Sequence, residues 1–289
     1  MLKIMRLPVQ LLKRKPDTHK GDYGHILIIG GSVGLSGAVC LSAKAALRTG
    51  AGLVTVAVPK SLNNIFEIKL TEVMSLPLTD KGGALGQEAF SKIKSFLKKI
   101  DLIVVGPGIG LEASTKRLIV RIIKEIDKPM VVDADALTAI ASNLEVLVKR
   151  KTKILILTPH LGEFSRLVKL DIGKIKKSRK ELVKKFALRY NLTLVLKGDR
   201  TLISDGQRTF ENSTGNPGMA TAGTGDVLSG IIAGLLAQGV DQFQAAKLGV
   251  YLHGLAGDYA ANDKTQNCLI ASDIIEYLPS AVKSLLKKS

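Results

Sequence analysis

A glycine-rich loop that contains an acidic residue is the segment best suited to chemistry. It covers residues 212–226 (NSTGNPGMATAGTGD) and leads into an apolar helical stretch. Gly223, Thr224 and Gly225 would present backbone amides at the start of that helix, where the helix dipole favours negative charge. Asp226, in the first turn, could cap the helix or act as a base. Phosphoryl transfer requires amides that stabilise the developing charge and a carboxylate that accepts the hydroxyl proton. We therefore favour the role of Asp226 as a base.

Two further glycine-rich loops follow predicted strands. Residues 30–37 read GGSVGLSG, and residues 106–110 read GPGIG. Neither fits the Gly-x-Gly-x-x-Gly dinucleotide fingerprint, and the sequence has no Gly-x-x-x-x-Gly-Lys-Ser/Thr phosphate loop. The first loop could be a tight strand–helix turn or an anion site. The second loop lies at the carboxyl end of a predicted strand, where open α/β sheets bind ligands.

Short aliphatic runs alternate with helical stretches along the chain. The predicted strands, which are too continuous for a one-sided sheet, are residues 25–29, 53–58, 102–105, 130–132, 154–157 and 192–196. The predicted helices are residues 38–48, 87–99, 114–125, 136–142, 163–168 and 179–190. Asp205-Gly206 predicts a hairpin turn between residues 201–204 and 209–211, at an edge of the sheet. The alternation predicts an α/β fold with a doubly wound, mostly parallel sheet.

The last third of the chain is predicted to be helical. The spacing of apolar residues predicts a helix over residues 226–238 that ends at Gly239. Two more helices are predicted at residues 245–262 and 272–287, the second broken near Pro279. We find no repeat, low-complexity segment or linker, so the sequence predicts a single domain over residues 1–289.

The composition argues against several classes of protein. The formal net charge is +17, but no aromatic platform or DNA-reading motif accompanies it, which argues against nucleic-acid binding. Much of the charge lies in residues 174–185, predicted as a solvated helix face, and in residues 283–288. Two cysteines without a Cys-x-x-Cys motif fit a reducing cytoplasm. The first 15 residues do not form a convincing signal peptide, and no apolar stretch is long enough for a membrane helix.

Seven segments in order resemble one enzyme family. The segments are residues 20–25 (KGDYGH), 30–37 with 43–52 (AKAALRTGAG), 105–110 (VGPGIG), 132–137 (VDADAL), 157–164 (LTPHLGEF), 195–201 (VLKGDRT) and 212–230. The chain resembles the ADP- or ATP-dependent NAD(P)H-hydrate dehydratases of the ribokinase-like superfamily. The resemblance implies a three-layer α/β/α fold with a central, mostly parallel sheet. It also implies an enzyme, a lyase, that repairs damaged nicotinamide cofactors.

The resemblance assigns roles to residues at the matching positions. Asp226 would be the general base and would also touch the substrate, and Gly223, Thr224 and Gly225 would form the anion hole. The hydrated dinucleotide would lie against Ala38, Gly108 and His160. The adenine nucleotide would contact Gly225 and the segment Lys197, Gly198, Asp199, Arg200 and Thr201. Glu163 would help to organise Mg²⁺ through water.

The resemblance also sets out the reaction. The substrate would be the S epimer of NADH hydrate or NADPH hydrate, and the co-substrate would be ADP in preference to ATP. The family's dehydratase domain is often fused to an N-terminal epimerase domain, and we expect that domain to be absent here. A homo-oligomer, a dimer or tetramer, is expected from the apolar C-terminal third, without nucleic-acid or membrane partners.

Alternative interpretations of the same residues stay open. His160 could be structural, Glu163 could lie in the first turn of a helix, and Lys197 could be a surface lysine. Asp133 and Asp135 could cap the helix predicted at residues 136–142. The Gly-Thr-Gly-Asp segment also fits a small-molecule kinase of the same fold, such as a hydroxyethylthiazole kinase. A basic nucleic-acid-binding protein is the alternative from another class.

Overall fold

A nine-stranded sheet forms the centre of the protein within residues 5–8 and 11–286, the residues that the computed structural model describes. The strands are β1 (His25–Ile29), β2 (Leu53–Pro59), β3 (Met74–Leu78), β4 (Asp80–Lys81), β5 (Ala84–Leu85), β6 (Leu102–Val105), β7 (Met130–Val132), β8 (Leu155–Leu157), β9 (Thr193–Leu196), β10 (Leu202–Ser204) and β11 (Thr209–Glu211). The main sheet has the order β11-β10-β9-β8-β7-β6-β1-β2-β3, and β4 and β5 pair separately. The neighbours from β9 through β3 are parallel, whereas β10 is antiparallel to β9 and β11.

Helices cover both faces of the sheet. They are α1 (Ser36–Thr49), α2 (Asn63–Lys69), α3 (Phe90–Phe96), α4 (Ala113–Glu125), α5 (Asp135–Ile140), α6 (Glu145–Lys149), α7 (Leu161–Val168), α8 (Ile172–Lys177), α9 (Arg179–Tyr190), α10 (Thr224–Ala237), α11 (Gln242–Lys264) and α12 (Ala271–Leu286). Alternate residues of β1 point to opposite faces, so Leu27 packs with the α3–α9 side and Ile28 packs with α1, α2, α10 and α11. The protein therefore has the predicted three-layer α/β/α architecture, with α12 packed outside α10 and α11.

The central strands confirm the sequence interpretation. The bounds predicted for β1, β6 and β7 agree with the structure, and those for β2, β8 and β9 differ by one residue at one end. Every residue of β1 is buried, as expected for a strand covered on both faces. The predicted hairpin is β10–β11, and β11 forms one edge of the sheet.

Several element predictions were incomplete. The opposite edge strand, β3, was missed because its sequence (MSLPL) contains Pro77, which an edge strand tolerates. The helix predicted at residues 87–99 is a shorter α3 between two 3₁₀ turns. The basic run at residues 174–185 is divided at Ser178 between α8 and α9. The helices α2 and α6 were also missed; each has seven residues or fewer, too short for a clear period.

The predicted break near Pro279 was wrong, because α12 continues through that residue to Leu286. A proline removes one helical hydrogen bond, but Ile275, Leu278 and Ala281 lie buried on both sides of it against α10 and α11. Packing of this apolar face therefore holds the helix together. Residue 287, the predicted end of the helix, and the end of the basic run at 283–288 lie outside the described residues. In the described part of the chain, no helix has the length and apolarity of a membrane span.

Candidate active site

The first turn of α10 has the geometry of an anion site. Gly223 is its N-cap, with a φ of 90°, and a Cβ there would lie 2.5 Å from the Leu41 Cδ1 atom. The positive φ favours glycine, and a side chain there would also require Leu41 to move. The first intrahelical bond runs from the Val227 amide to the Gly223 carbonyl, so the amides before it lie in the unpaired first turn. Asp226 lies in this turn, beside amides that can bind an anion.

Lys197 extends from the end of β9 to the start of α10. A Cβ on Gly225 would lie 3.2 Å from the Lys197 Nζ atom, so the ammonium lies directly against this turn. Nζ donates to Asp133 Oδ1 at 2.7 Å and lies 3.9 Å from Glu163 Oε2. The Lys197 side chain is only 18% exposed, which rules out the surface-lysine interpretation.

Burial and like charge act together on the carboxyl groups around this lysine. Burial raises the pKa of Asp226 to about 7, the negative charge of Asp133 adds to that rise, and Lys197 opposes it. Burial likewise raises the pKa of Glu163 to about 7, against the attraction of Lys197. Burial lowers the pKa of Lys197, but the charges of Asp133 and Glu163 outweigh burial and raise it. A carboxyl group with a pKa near neutrality can both accept and release a proton.

His160 and Glu163 form a capping box at the start of α7. The Glu163 and Gly162 amides donate to His160 Nδ1 at 3.2 and 3.0 Å, and the His160 amide donates to Glu163 Oε2 at 2.8 Å. The structural roles considered for both residues are therefore present. Because Nδ1 accepts hydrogen bonds, the neutral ring carries its proton on Nε2, and burial lowers the pKa of this histidine. The imidazole is 54% exposed, so it can also contact a ligand.

A cavity of about 450 Å³ joins the two halves of the predicted nucleotide site. It lies between the loop after β9, the glycine-rich loop and the start of α10. Its lining includes all six predicted nucleotide residues: Lys197, Gly198, Asp199, Arg200, Thr201 and Gly225. This volume lies in the range of small-molecule sites.

Ala38 and Gly108, two of the residues predicted to contact the hydrated dinucleotide, lie next to each other. A Cβ on Gly108 would lie 3.2 Å from the Ala38 Cβ and 2.5 Å from the Leu35 carbonyl oxygen, and the Gly108 φ is 58°. The loops after β1 and β6 also interlock through a hydrogen bond from the Gly31 amide to the Pro107 carbonyl, at 3.0 Å. The chain leaves β1 toward β2 and returns at β6 on its other side, so this junction is the topological switch point where such sheets bind ligands.

Two residues of this region were missed or misread from the sequence. Asp133 was considered a helix cap, but the N-cap of α5 is Ala134, and the Asp133 carboxylate binds Lys197 instead. Its position directly after a buried strand was the available signal. His253 lies in α11 and lines the cavity of about 450 Å³, with Nε2 2.9 Å from the Thr224 carbonyl oxygen. Burial lowers its pKa to about 4. Its place within a long helix gave no sequence signal.

The carboxylates here fit a magnesium ion that is held through water. Mg²⁺ prefers oxygen ligands, keeps several waters, and usually binds one or two carboxylates together with substrate phosphates. Glu163 and Asp226 supply such oxygens around the Lys197 ammonium. Among the described residues, no group of three acidic, histidine or cysteine side chains forms a direct metal-binding cluster.

Comparisons with known proteins agree on one family. A family model described as NAD(P)H-hydrate dehydratase matches residues 26–280. A bifunctional NAD(P)H-hydrate repair enzyme of Moorella thermoacetica is 45% identical over 279 residues, which are 96% of this chain and 52% of that protein. Its counterpart in Thermofilum pendens is 40% identical, over 96% of this chain and 53% of that protein. The chain thus spans about half the length of the curated relatives it matches.

Solved structures give the same result. An ADP/ATP-dependent NAD(P)H-hydrate dehydratase of Bacillus subtilis, co-crystallised with ATP and Mg²⁺, superposes with a TM-score of 0.81 at 28% identity, covering 94% of each chain. A ribokinase-like superfamily protein of Enterococcus faecalis superposes with a TM-score of 0.82 at 28% identity, covering 99% of this chain and 98% of that one. A hydroxyethylthiazole kinase of Pyrococcus horikoshii, at 16% identity and a TM-score of 0.62, shares the fold.

Proposed function

The chain belongs to the NAD(P)H-hydrate dehydratase family, and we propose that it uses ADP or ATP to dehydrate the S epimer of NADH hydrate or NADPH hydrate. The products are NADH or NADPH, inorganic phosphate, and AMP or ADP. The observation that carries the proposal is the Asp226 carboxyl beside the first amides of α10, with the Lys197 ammonium against Gly225.

The proposed reaction begins with phosphoryl transfer. Asp226 accepts the proton of the hydroxyl on the hydrated ring, and the hydroxyl oxygen forms a bond to the terminal phosphorus of the nucleotide. The bond from that phosphorus to the nucleotide breaks, and AMP or ADP leaves. The amides of Gly223, Thr224 and Gly225 stabilise the charge on the transferring group, and the low dielectric of the site strengthens their effect.

Elimination then restores the dihydronicotinamide ring. The carbon–oxygen bond breaks, and its electron pair leaves with phosphate, a far better leaving group than hydroxide. The lone pair of the ring nitrogen stabilises the positive charge that develops on this carbon. Loss of a proton from the neighbouring ring carbon then forms the double bond. The hydroxyl oxygen thus leaves in phosphate.

The two ligands occupy adjacent parts of the site in this proposal. The nucleotide lies in the cavity lined by residues 197–201 and Gly225, and the hydrated dinucleotide lies against Ala38, Gly108 and His160. Both ligands reach Asp226. Glu163 would hold Mg²⁺ through water, where the ion would neutralise phosphate charge.

The proposal extends to co-substrate, assembly and location. We infer that ADP is preferred to ATP, that the protein is a cytoplasmic homo-oligomer, and that residues 1–289 are a single domain. The mass in solution, measured by light scattering, should be two or four times the chain mass of 30.9 kDa. A mass equal to one chain would contradict the homo-oligomer.

The direct test is an absorbance assay of dihydronicotinamide formation. Protein, Mg²⁺ and purified S-epimer hydrate are mixed with ADP, with ATP or with no nucleotide, and released phosphate is measured in parallel. We expect NADH and phosphate to form together, only with nucleotide, and faster with ADP. Phosphorylated hydrate that accumulates without phosphate release would identify a kinase, and no reaction with either nucleotide would overturn the proposal.

A further inference from the structure

Asp133 is a buried carboxylate to which the proposed reaction assigns no role, and it does not cap α5 as the sequence suggested it could. It directly follows β7 and is 1% exposed. Its Oδ1 accepts a hydrogen bond from Lys197 Nζ at 2.7 Å. A buried carboxylate is costly unless it is paired, so this ion pair accounts for its burial.

The backbone holds Asp133 in one place. Its amide donates to the Val105 carbonyl at 3.1 Å, and its carbonyl accepts from the Ala136 amide at 3.2 Å. A Cβ on Gly106 would lie 1.9 Å from the Asp133 carbonyl oxygen, so only glycine allows this close approach of the two strand ends. The backbone contacts with β6, β7 and α5 therefore hold Asp133 in place independently of its side chain.

The turn after Asp133 is strained. Ala134 has a φ of 51°, which a residue with a Cβ rarely adopts. Such strain persists only where the surrounding structure imposes it, and it is found mainly at functional sites. Here it accompanies an aspartate whose carboxylate binds Lys197 rather than capping α5.

Lys197 needs such a partner in order to stay beside α10. A lysine side chain has four rotatable bonds, and its ammonium could approach Glu163 Oε2, now 3.9 Å away, instead of Gly225. The bond to Asp133 fixes Nζ at the N-terminal turn of α10, where the transferable phosphate of a nucleotide would lie.

We propose that Asp133 is a positioning residue whose carboxylate fixes the Lys197 ammonium at the α10 turn, where Lys197 binds the terminal phosphate of the nucleotide. The inference rests on the proposed function only for the identity of the phosphate donor. It requires that loss of Asp133 act through Lys197 and on that terminal phosphate, with the adenosine part of the ligand unaffected.

Calorimetric titration of the full chain with ADP and AMP, in the presence of Mg²⁺, separates these effects. We expect Asp133→Asn to weaken ADP binding by about ten- to a hundredfold while AMP binding changes by less than about twofold. Lys197→Met should give the same selective loss. The double variant should be no worse than Lys197→Met alone, because the two residues act as one unit.

Asp273→Asn is the matched control. Asp273 also binds a lysine, Lys264, at 2.7 Å, and its side chain is 8% exposed, but it lies in α12. This variant loses a comparable ion pair, so it should lower the melting temperature and leave ADP binding unchanged.

Equal losses for ADP and AMP, or losses that multiply in the double variant, would overturn the proposal. If Asp133→Asn does not fold, the Lys197→Met variant tests the inference by itself. Unchanged ADP affinity in that variant would contradict the inference. The titrations measure nucleotide binding without the hydrate, so no reaction takes place in them. Failure of the proposed dehydratase reaction would be seen in the absorbance assay of the unmodified protein instead.

Discussion

Asp226 belongs to a cluster of charges that the strand order assembles. Asp133 follows β7, His160 follows β8 and Lys197 follows β9, and these strands are neighbours in the sheet. Residue types at a predicted helix start predict Asp226 and the glycines as site residues, and the resemblance to a known family adds Lys197. It could not predict the bond between Asp133 and Lys197, because these residues are 64 positions apart and meet only through the strand order.

The proposed role of Asp226 as a base predicts both a rate loss and a pH dependence. Asp226→Asn keeps the size of the side chain but cannot accept the proton, so turnover should fall by about 10²- to 10⁴-fold. Nucleotide affinity, measured by titration, should remain.

In the unmodified protein, kcat/KM should rise with pH toward a plateau, with a midpoint near the pKa of about 7. The midpoint describes the coupled cluster, because Glu163 titrates in the same range. Nearly full turnover in Asp226→Asn would contradict the assignment of Asp226 as the base.

The raised pKa of Asp226 also predicts a stability cost. Its pKa rises from the usual 3.8 to about 7 on folding, so between these pH values the folded protein holds a proton that the unfolded chain releases. Stability therefore falls as pH rises through this window, and the loss is complete above about pH 7.

Asp226→Asn removes this titration. The variant should gain melting temperature relative to the parent as pH rises from 4 to 7, and the difference should stay constant above pH 7. Melting curves of both proteins across this pH range, without nucleotide, test it. A difference that is independent of pH would contradict the burial-driven shift.

The helix α10 combines site chemistry and packing in its glycines. Gly225 lies in the first turn beside Lys197, whereas Gly230 lies where a Cβ would come within 2.1 Å of the Ser42 carbonyl oxygen in α1. The sequence predicted this helix from its apolar spacing, but it could not show which glycines serve helix packing, because that depends on the partner helix. The sequence interpretation also missed strand β3 and the continuity of helix α12, and for the same reason. Each element contains a proline, and tertiary position determines whether a proline is tolerated there.

The two glycines predict two different defects. Gly225→Val should preserve the fold and weaken nucleotide binding, because the new Cβ would meet only the flexible end of Lys197, at 3.2 Å, and the side chain would enter the cavity. Gly230→Ala should lower the free energy of unfolding by about 1–3 kcal/mol or more, because backbone atoms must move apart.

Denaturant unfolding and nucleotide titration of both variants separate the two defects. Unchanged nucleotide affinity in Gly225→Val would contradict the anion site. Unchanged stability in Gly230→Ala would contradict the close packing of α10 on α1.

At the scale of the whole molecule, the topology places the residues of both proposed ligand sites at the carboxyl ends of the parallel strands. The switch point between β1 and β6 carries Ala38 and Gly108, and the ends of β8 and β9 carry His160 and Lys197. The alternation of elements in the sequence predicted this architecture, because parallel strands require helical crossovers. The net charge of +17 did not predict function, since it describes a solvated surface as well as a binding surface.

The central claim is that the molecule transfers a phosphoryl group to the hydroxyl of the hydrate before the carbon–oxygen bond breaks. Hydrate labelled with oxygen-18 at that hydroxyl can be converted with ADP or ATP, and the released phosphate analysed by mass spectrometry. Transfer through Asp226 and the α10 turn predicts one oxygen-18 atom in each phosphate. Label recovered in water, with unlabelled phosphate, would contradict it.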